Sequence, residues 1–221
     1  MARAWRLAVG PASPRTLGLT NTMRLYSYVV EHDHGWAPNP QGDYCTLVYC
    51  KFSKTGRRKN LVEEVSESDW ILGTGGTGRN SSGHGTILYL MRVDRKMSLD
   101  AYLADSDFKG RVDHRNLGLG NAYALVSNHF FYLGSDAIPI SRLPNRLRTA
   151  AIEKRGPGYR KDLPPSQVES LIQWFEVNVE PGRGDHMPCS PLESWQPTPS
   201  LLHIGLRRVG RCRPNRGCSE A

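Results

Sequence analysis

No stretch of this chain approaches the ~20 consecutive apolar residues that a membrane span requires; its hydrophobic residues are broken up by charges and turn formers. The apolar patch Leu7-Ala8-Val9 near the start is too short for the core of a secretory signal. Cysteine is scarce and odd in number, five in all. Cys45 and Cys50 lie in one apolar segment, and Cys189, Cys212 and Cys218 lie in an irregular C-terminal region. Neither group has the paired spacing of a zinc site, so unpaired thiols, a cytoplasmic location and no metal are expected. No Gly-x-Ser-x-Gly elbow is present. Arg79-Asn80 stands where a Walker A loop needs Lys-Ser/Thr. With these signatures go the familiar hydrolase, kinase, methyltransferase and deaminase readings, and no cofactor is implied.

The net charge of +8 sits mainly at the two ends. Residues 1–22 carry Arg3, Arg6 and Arg15 without an acid, and residues 201–221 carry five arginines against Glu220. Residues 1–22 are therefore expected to be a disordered leader, or to lie upstream of a true start at Met23. Residues 181–221, rich in Pro, Gly, Ser and Arg, read as a disordered tail. A domain of residues 23–180 remains, large enough for one core. Two basic runs stand inside it: Lys51, Lys54, Arg57, Arg58 and Lys59, and seven residues from Arg142 to Lys161 against Glu153. Such runs either track phosphates or form a solvated surface.

Glycine is what the chain has in abundance at one place. Six glycines fall between Gly73 and Gly85, directly after Asp69-Trp70-Ile71-Leu72. Gly73-x-Gly75-x-x-Gly78 satisfies the dinucleotide-binding pattern, which demands a strand before it and a helix after it. The following Ile87-Leu88-Tyr89-Leu90-Met91-Arg92-Val93 is β-branched and aromatic, and reads as a strand. The helix N-terminus that completes a phosphate site is thus missing. The stretch reads as a hairpin-like, glycine-rich lid whose amides can meet an anion.

Further strands are expected over Leu25–Val30, Thr46–Phe52, Trp70–Gly73, Ala124–Ser127 and Phe130–Leu133. Ser98 can cap a short helix from Leu99 to Leu103. The clearest helix runs from Ser166 to about Val177, with Ser166-x-x-Glu169 as a capping box and Val168, Leu171, Ile172 and Phe175 on one face. Strands come first and the longest helix last, which predicts an α+β domain.

Three segments place polar groups where chemistry can occur. His32-Asp33-His34 follows the first strand, His84 closes the glycine loop, and Ser127-Asn128-His129 enters the aromatic run Phe130-Phe131-Tyr132. Alternate residues of an extended chain face opposite ways, so Asp33 is expected to oppose both histidines. Candidate acid, base or nucleophile residues are Asp33, His34, Cys50 and Ser127. Candidate ligand contacts are Asn39, Lys51, Arg57, Arg58, Trp70, Gly73, Gly75, Gly76 and Tyr132.

The order of short motifs carries more information than any one of them. Met23 to Val30 is followed by Asp33, Gly35 and Ala37-Pro38-Asn39, then Thr46-Leu47, Cys50-Lys51 and Asp69 to Gly75. Ile87 to Val93, Leu99-Asp100-Ala101-Tyr102, Val126-Ser127, Phe130 to Gly134 and Gly158-Tyr159 follow in turn. Over residues 23–180 this order resembles the second type of nucleotide modification associated domain, a bacterial and phage family of DNA-base modification systems. The resemblance implies a link to modified nucleotides or DNA, without a transferable mechanism. The positions it singles out are Asp33, Asn39, Cys50, Lys51, Trp70, Gly73, Gly75, Ser127, Tyr132 and Gly134. Asp-Trp-Ile-Leu-Gly at a strand end also resembles PUA and ASCH-type modules, which implies a small mixed or antiparallel barrel-like sheet with a C-terminal packing helix. Three functions stay open: binding of a nucleotide or modified base, an enzyme of a base-modification pathway, and an accessory protein. A nucleotide or nucleic acid is the expected partner, with other base-modification proteins beside it and no membrane.

Overall fold

The computed structural model describes residues 23–48, 60–111, 123–179 and 187–189. Its strands form two sheets, one mixed and one antiparallel, with few helices and a C-terminal helix, an α+β arrangement. Among the described residues the two sheets do not close into a barrel.

The mixed sheet is built around β1 (Leu25–Val30) and β4 (Trp70–Gly75), which pair in parallel. β4 also pairs antiparallel with β5 (Thr86–Arg92). β5 continues to β8 (Phe130–Tyr132) and β9 (Ile138–Pro139), and β10 (Tyr159–Arg160) closes the far edge on β1. Every residue of β1 and β4 is buried, because both faces of this sheet are covered. That explains why these segments read as continuous apolar runs rather than as alternating ones. The second sheet holds β2 (Asn39–Gln41), β3 (Tyr44–Leu47), β7 (Tyr123–Ser127) and β6 (Arg95–Ser98), in that order.

Alternation along the strands distributes side chains among three cores. Tyr26, Tyr28, Ile71 and Met91 of the mixed sheet meet Cys45, Leu47 and Leu125 of the antiparallel one, together with Leu61 and Val62 of α1 (Leu61–Glu64). On the opposite face, Leu25, Trp70, Leu72 and Leu90 meet Val168, Leu171 and Phe175 of α3 (Pro165–Asn178). Each of those three α3 side chains contributes about 1.5–3 kcal/mol of apolar burial. A third cluster joins Val48, Ala124 and Val126 to Tyr102 of α2 (Leu99–Ala104) and to Phe108.

Ser98 caps α2 as its sequence indicates, accepting from the Ala101 amide. The α3 boundary differs from expectation. Pro164 is the N-cap and Pro165 the first helical residue, so Ser166 lies inside the first turn and makes no capping box. Proline is pre-organised for that first position and outcompetes the side-chain cap. The strand expected over Thr46–Phe52 begins earlier, at Tyr44, and ends at Leu47; residues 49–52 of that expectation lie outside the described residues.

A bulge adjusts the β4–β5 pairing. Gly73 is opposite Tyr89 and Thr74 opposite Ile87, leaving Leu88 unmatched. An extra residue of this kind turns two neighbours to one side, and Leu88 and Tyr89 both enter the core between the sheets. Tyr89 lies across Gly73 so closely that a Cβ there would be 2.1 Å from its ring. Its hydroxyl donates to Tyr28 at 2.8 Å, so the ring is fixed. Gly73→Ala should therefore cost about 3 kcal/mol, the upper end of overpacking. Gly42→Ala, at φ 65° with nothing near its Cβ, should cost only about 1 kcal/mol of backbone strain. Urea denaturation of both variants checks the contrast, and equal losses would refute the packing explanation.

Candidate functional site

The glycine loop is a hairpin connection between β4 and β5, and its amides already hold an anion. Glu31, one residue beyond β1, accepts from the backbone amides of Thr77 at 3.1 Å and Gly78 at 3.2 Å. The Ser81 hydroxyl donates to the Val30 carbonyl at 2.6 Å and accepts from the Gly76 amide at 2.7 Å. Asp33 N–H donates to the Asn80 carbonyl at 2.8 Å, completing the seam. A Cβ at Gly76 would lie 2.4 Å from the Glu31 carboxylate, so glycine there is a condition of this close approach. Gly75 is packed against the Gly83 carbonyl in the same loop.

Asp33 is buried at the end of β1. Its carboxylate accepts from the Tyr132 hydroxyl at 2.7 and 2.9 Å and from the Cys189 amide at 2.8 Å. Met187 and Cys189 are fastened to the same place: the Met187 carbonyl accepts from Ser135 N–H, and the Cys189 thiol lies 3.4 Å from the Gly134 carbonyl. Burial raises the Asp33 pKa above its ordinary value, against the Cys189 and Tyr132 donors that lower it. Burial, then the neighbouring Asp33, drives the Tyr132 phenol well above its ordinary value, so it stays a donor. The pair works as a latch between β1, β8 and residues 187–189. The flanking histidines turn away together: His32 and His34 stack with ring centroids 5.8 Å apart and planes 6° from parallel. Among the described residues no group of three or more His, Cys, Asp or Glu side chains is placed to hold a metal ion.

A different polar cluster forms on the outer face of the antiparallel sheet. Asn39 is opposite Thr46 and Gln41 opposite Tyr44, so these four side chains share one face. Arg111, only 5% exposed, reaches in from beyond Phe108. Its Nη1 donates to the Gln41 carbonyl, and its Nη2 to the carbonyls of Asn39 and Tyr44 and to Thr46 Oγ1, at 2.6–3.3 Å. Tyr102 and Phe108 stack beside them with centroids 4.7 Å apart. The Arg95 guanidinium lies 5.5 Å over Tyr44 and 5.1 Å over Phe108. Four buried polar atoms here have no hydrogen-bond partner among the described residues: both amide atoms of Asn39, Gln41 Oε1 and Arg111 Nε. Native interiors rarely tolerate such groups without water, an ion or a ligand to pair them.

The remaining sequence candidates are dispersed. Trp70 is buried edge-on to His129, 5.2 Å between centroids, at the rim of an open groove of about 620 Å³ under α3. Ser127 Oγ donates to the His129 carbonyl at 2.9 Å and shapes the β7–β8 turn. Cys50, Lys51, Arg57 and Arg58 lie outside the described residues. Sequence reasoning named Asn39 but missed Gln41, Thr46, Tyr102, Phe108 and Arg111 as its companions. A lone arginine after a turn glycine carries no local signature, and Tyr102 and Phe108 read as ordinary core.

The fold and this face define a two-sheet α+β domain with a buried guanidinium, aromatic and amide cluster on one sheet. Residues 22–117 match the family model described as nucleotide modification associated domain 2, the family that the motif order resembles. That description ties this stretch of the chain to nucleotide modification. Every residue of the outer-face cluster falls within the matched span, whereas Ser127, Tyr132, Gly134 and Cys189 lie beyond it. No curated protein and no solved structure shows a significant match to the chain. No helix among the described residues is long and apolar enough to cross a membrane.

The Asp33 latch has a pH signature. With its pKa raised by folding, the carboxyl binds its proton more tightly in the folded state, so its contribution weakens as pH rises through the folded value. Tyr132→Phe removes a donor from the charged form and raises that pKa further. The variant should lose about 1–3 kcal/mol at about pH 7, and less at about pH 4.5, nearer the ordinary carboxyl range. Urea titrations at both pH values test this; a pH-independent loss would show that the hydroxyl does not support the carboxylate.

Proposed function

We propose that the outer face of the antiparallel sheet binds a nucleotide or modified base. The observation that carries the reading is the wholly buried Asn39 amide, whose donor and acceptor are both unpaired. A side-chain amide with both functions free is the group that pairs with adenine N6 and N7, or with any base edge presenting one donor beside one acceptor. Arg111 has its terminal nitrogens held by the carbonyls of Gln41, Asn39 and Tyr44 and by Thr46, so Nε is the donor it offers to a ligand acceptor. Tyr44, half-buried, supplies an aromatic face at the edge of this cluster, with the buried Tyr102 and Phe108 packed behind it. The family description points to the same ligand chemistry.

This reading favours binding over catalysis. Asp33, the strongest acid–base candidate, spends its carboxylate on Tyr132 and Cys189, and Ser127 spends its hydroxyl on the adjoining turn. Neither belongs to the face carrying Asn39 and Arg111.

Calorimetric titration with the common deoxynucleoside monophosphates and base-modified counterparts tests the proposal. Asn39→Ala should weaken the preferred nucleotide about ten-fold or more, consistent with about 1–3 kcal/mol for a paired buried amide. Its folding stability should change by less than about 1 kcal/mol, because the amide has no hydrogen-bond partner among the described residues. Absence of binding at millimolar nucleotide, or equal affinity in the variant, would overturn the reading.

A further inference from the structure

Between Asp136 and Glu153 the chain has no acidic residue and three arginines, Arg142, Arg146 and Arg148. The structure folds this segment into two successive single-turn 3₁₀ helices, Ile140–Arg142 and Asn145–Leu147. Pro139 and Pro144 are their N-caps, so proline rings set the backbone where each turn begins. Ile140, Leu143 and Leu147 point into the core against the mixed sheet and α3. The Ile140 amide donates to the Gly85 carbonyl at 2.8 Å, tying the segment to the strand pair. What is left outward is cationic: all three arginines are exposed.

Their roles divide. Arg148 folds back over the first turn, donating from Nε to the Leu143 carbonyl at 2.8 Å and from a terminal nitrogen to the Ser141 carbonyl. These bonds brace the two turns. Arg142 and Arg146 have no ion-pair partner among the described residues. Of the basic residues farther along, Arg155 is likewise exposed and outside every ion pair among the described residues, whereas three others are neutralised or consumed. Arg160 pairs with Asp162, Lys161 pairs with Glu64, and the Lys154 ammonium is held by the carbonyls of Arg155, Gly156 and Pro157.

From this we infer that the Arg142–Arg146–Arg148 turn is a docking surface for the phosphate backbone of a nucleic acid. Guanidinium groups pair with phosphate oxygens in fork geometry. Braced turns also lose little freedom on binding, which reduces the cost of association. A lipid surface fits less well: the apolar residues of the segment are buried, and the exposed large hydrophobics among the described residues, Leu103, Tyr123 and Val177, stand on other elements. The surface is distinct from the Asn39 face. It would position the chain on a polymer irrespective of sequence, while the Asn39 face contacts a base.

The test is binding of the full chain to a short fluorescent DNA duplex over a salt series, wild type against Arg142→Gln/Arg146→Gln. Arg148 is left in place because it braces the turns. Each phosphate contact contributes about 0.9 to the slope of log affinity against log salt. The double variant should bind more weakly at every sequence, with a slope shallower by about two. Hydrogen exchange should also show protection of residues 139–148 when the wild-type protein binds the duplex. Wild-type affinity and slope in the folded double variant would overturn the proposal. So would absence of protection in that segment, or a loss confined to anionic phospholipid vesicles with duplex binding intact.

Discussion

Everything in this molecule is arranged about β4, a strand paired on both edges and covered on both faces. Its burial leaves no room for a polar side chain that lacks a partner, and Thr74 complies by donating to the Tyr28 carbonyl at 3.2 Å. Its pairing with β1 aligns the ends of both strands, and its pairing with β5 brings the bulge that sends Leu88 and Tyr89 into one core. Gly73 is the point at which these demands meet, since the inter-sheet core needs the Tyr89 ring in the space a Cβ would occupy. The glycine pattern that invites a dinucleotide reading is, at that residue, a packing requirement.

The same scaffold separates two kinds of polar burial. At the end of the mixed sheet, the Asp33 carboxylate is matched with donors and binds structure to structure. On the antiparallel sheet, the Asn39 amide and Arg111 Nε are left unmatched among the described residues. Leaving buried polar groups unpaired costs stability, and proteins accept that cost where a ligand will later make the bonds. The contrast underlies the proposal that the first group holds structure and the second receives a ligand.

Much of the framework is legible in the residues because it rests on local rules. Leu25–Val30 has the observed strand bounds, and Ser98 starts α2 through the interaction its position predicts. What escapes such reading depends on partners distant in the chain. Asn39-Pro40-Gln41 reads as turn chemistry, yet it is an edge strand, the location where a sheet admits proline. Arg95–Ser98 is too charged to look like a strand, although charged side chains suit the opposite edge of the same sheet. The candidate site combines these less visible elements: an edge strand containing proline, a solitary arginine and aromatics that sequence assigns to the core. Asn39 was visible; the face on which it sits was not.

The Glu31 bridge changes how the glycine loop meets other anions. A carboxylate carried on the neighbouring strand end is a built-in competitor, presented at an effective concentration on the order of millimolar or higher. A free phosphate reaching for the Thr77 and Gly78 amides must displace it. The loop thus carries its own anion, which fills the Thr77 and Gly78 amides before any other can.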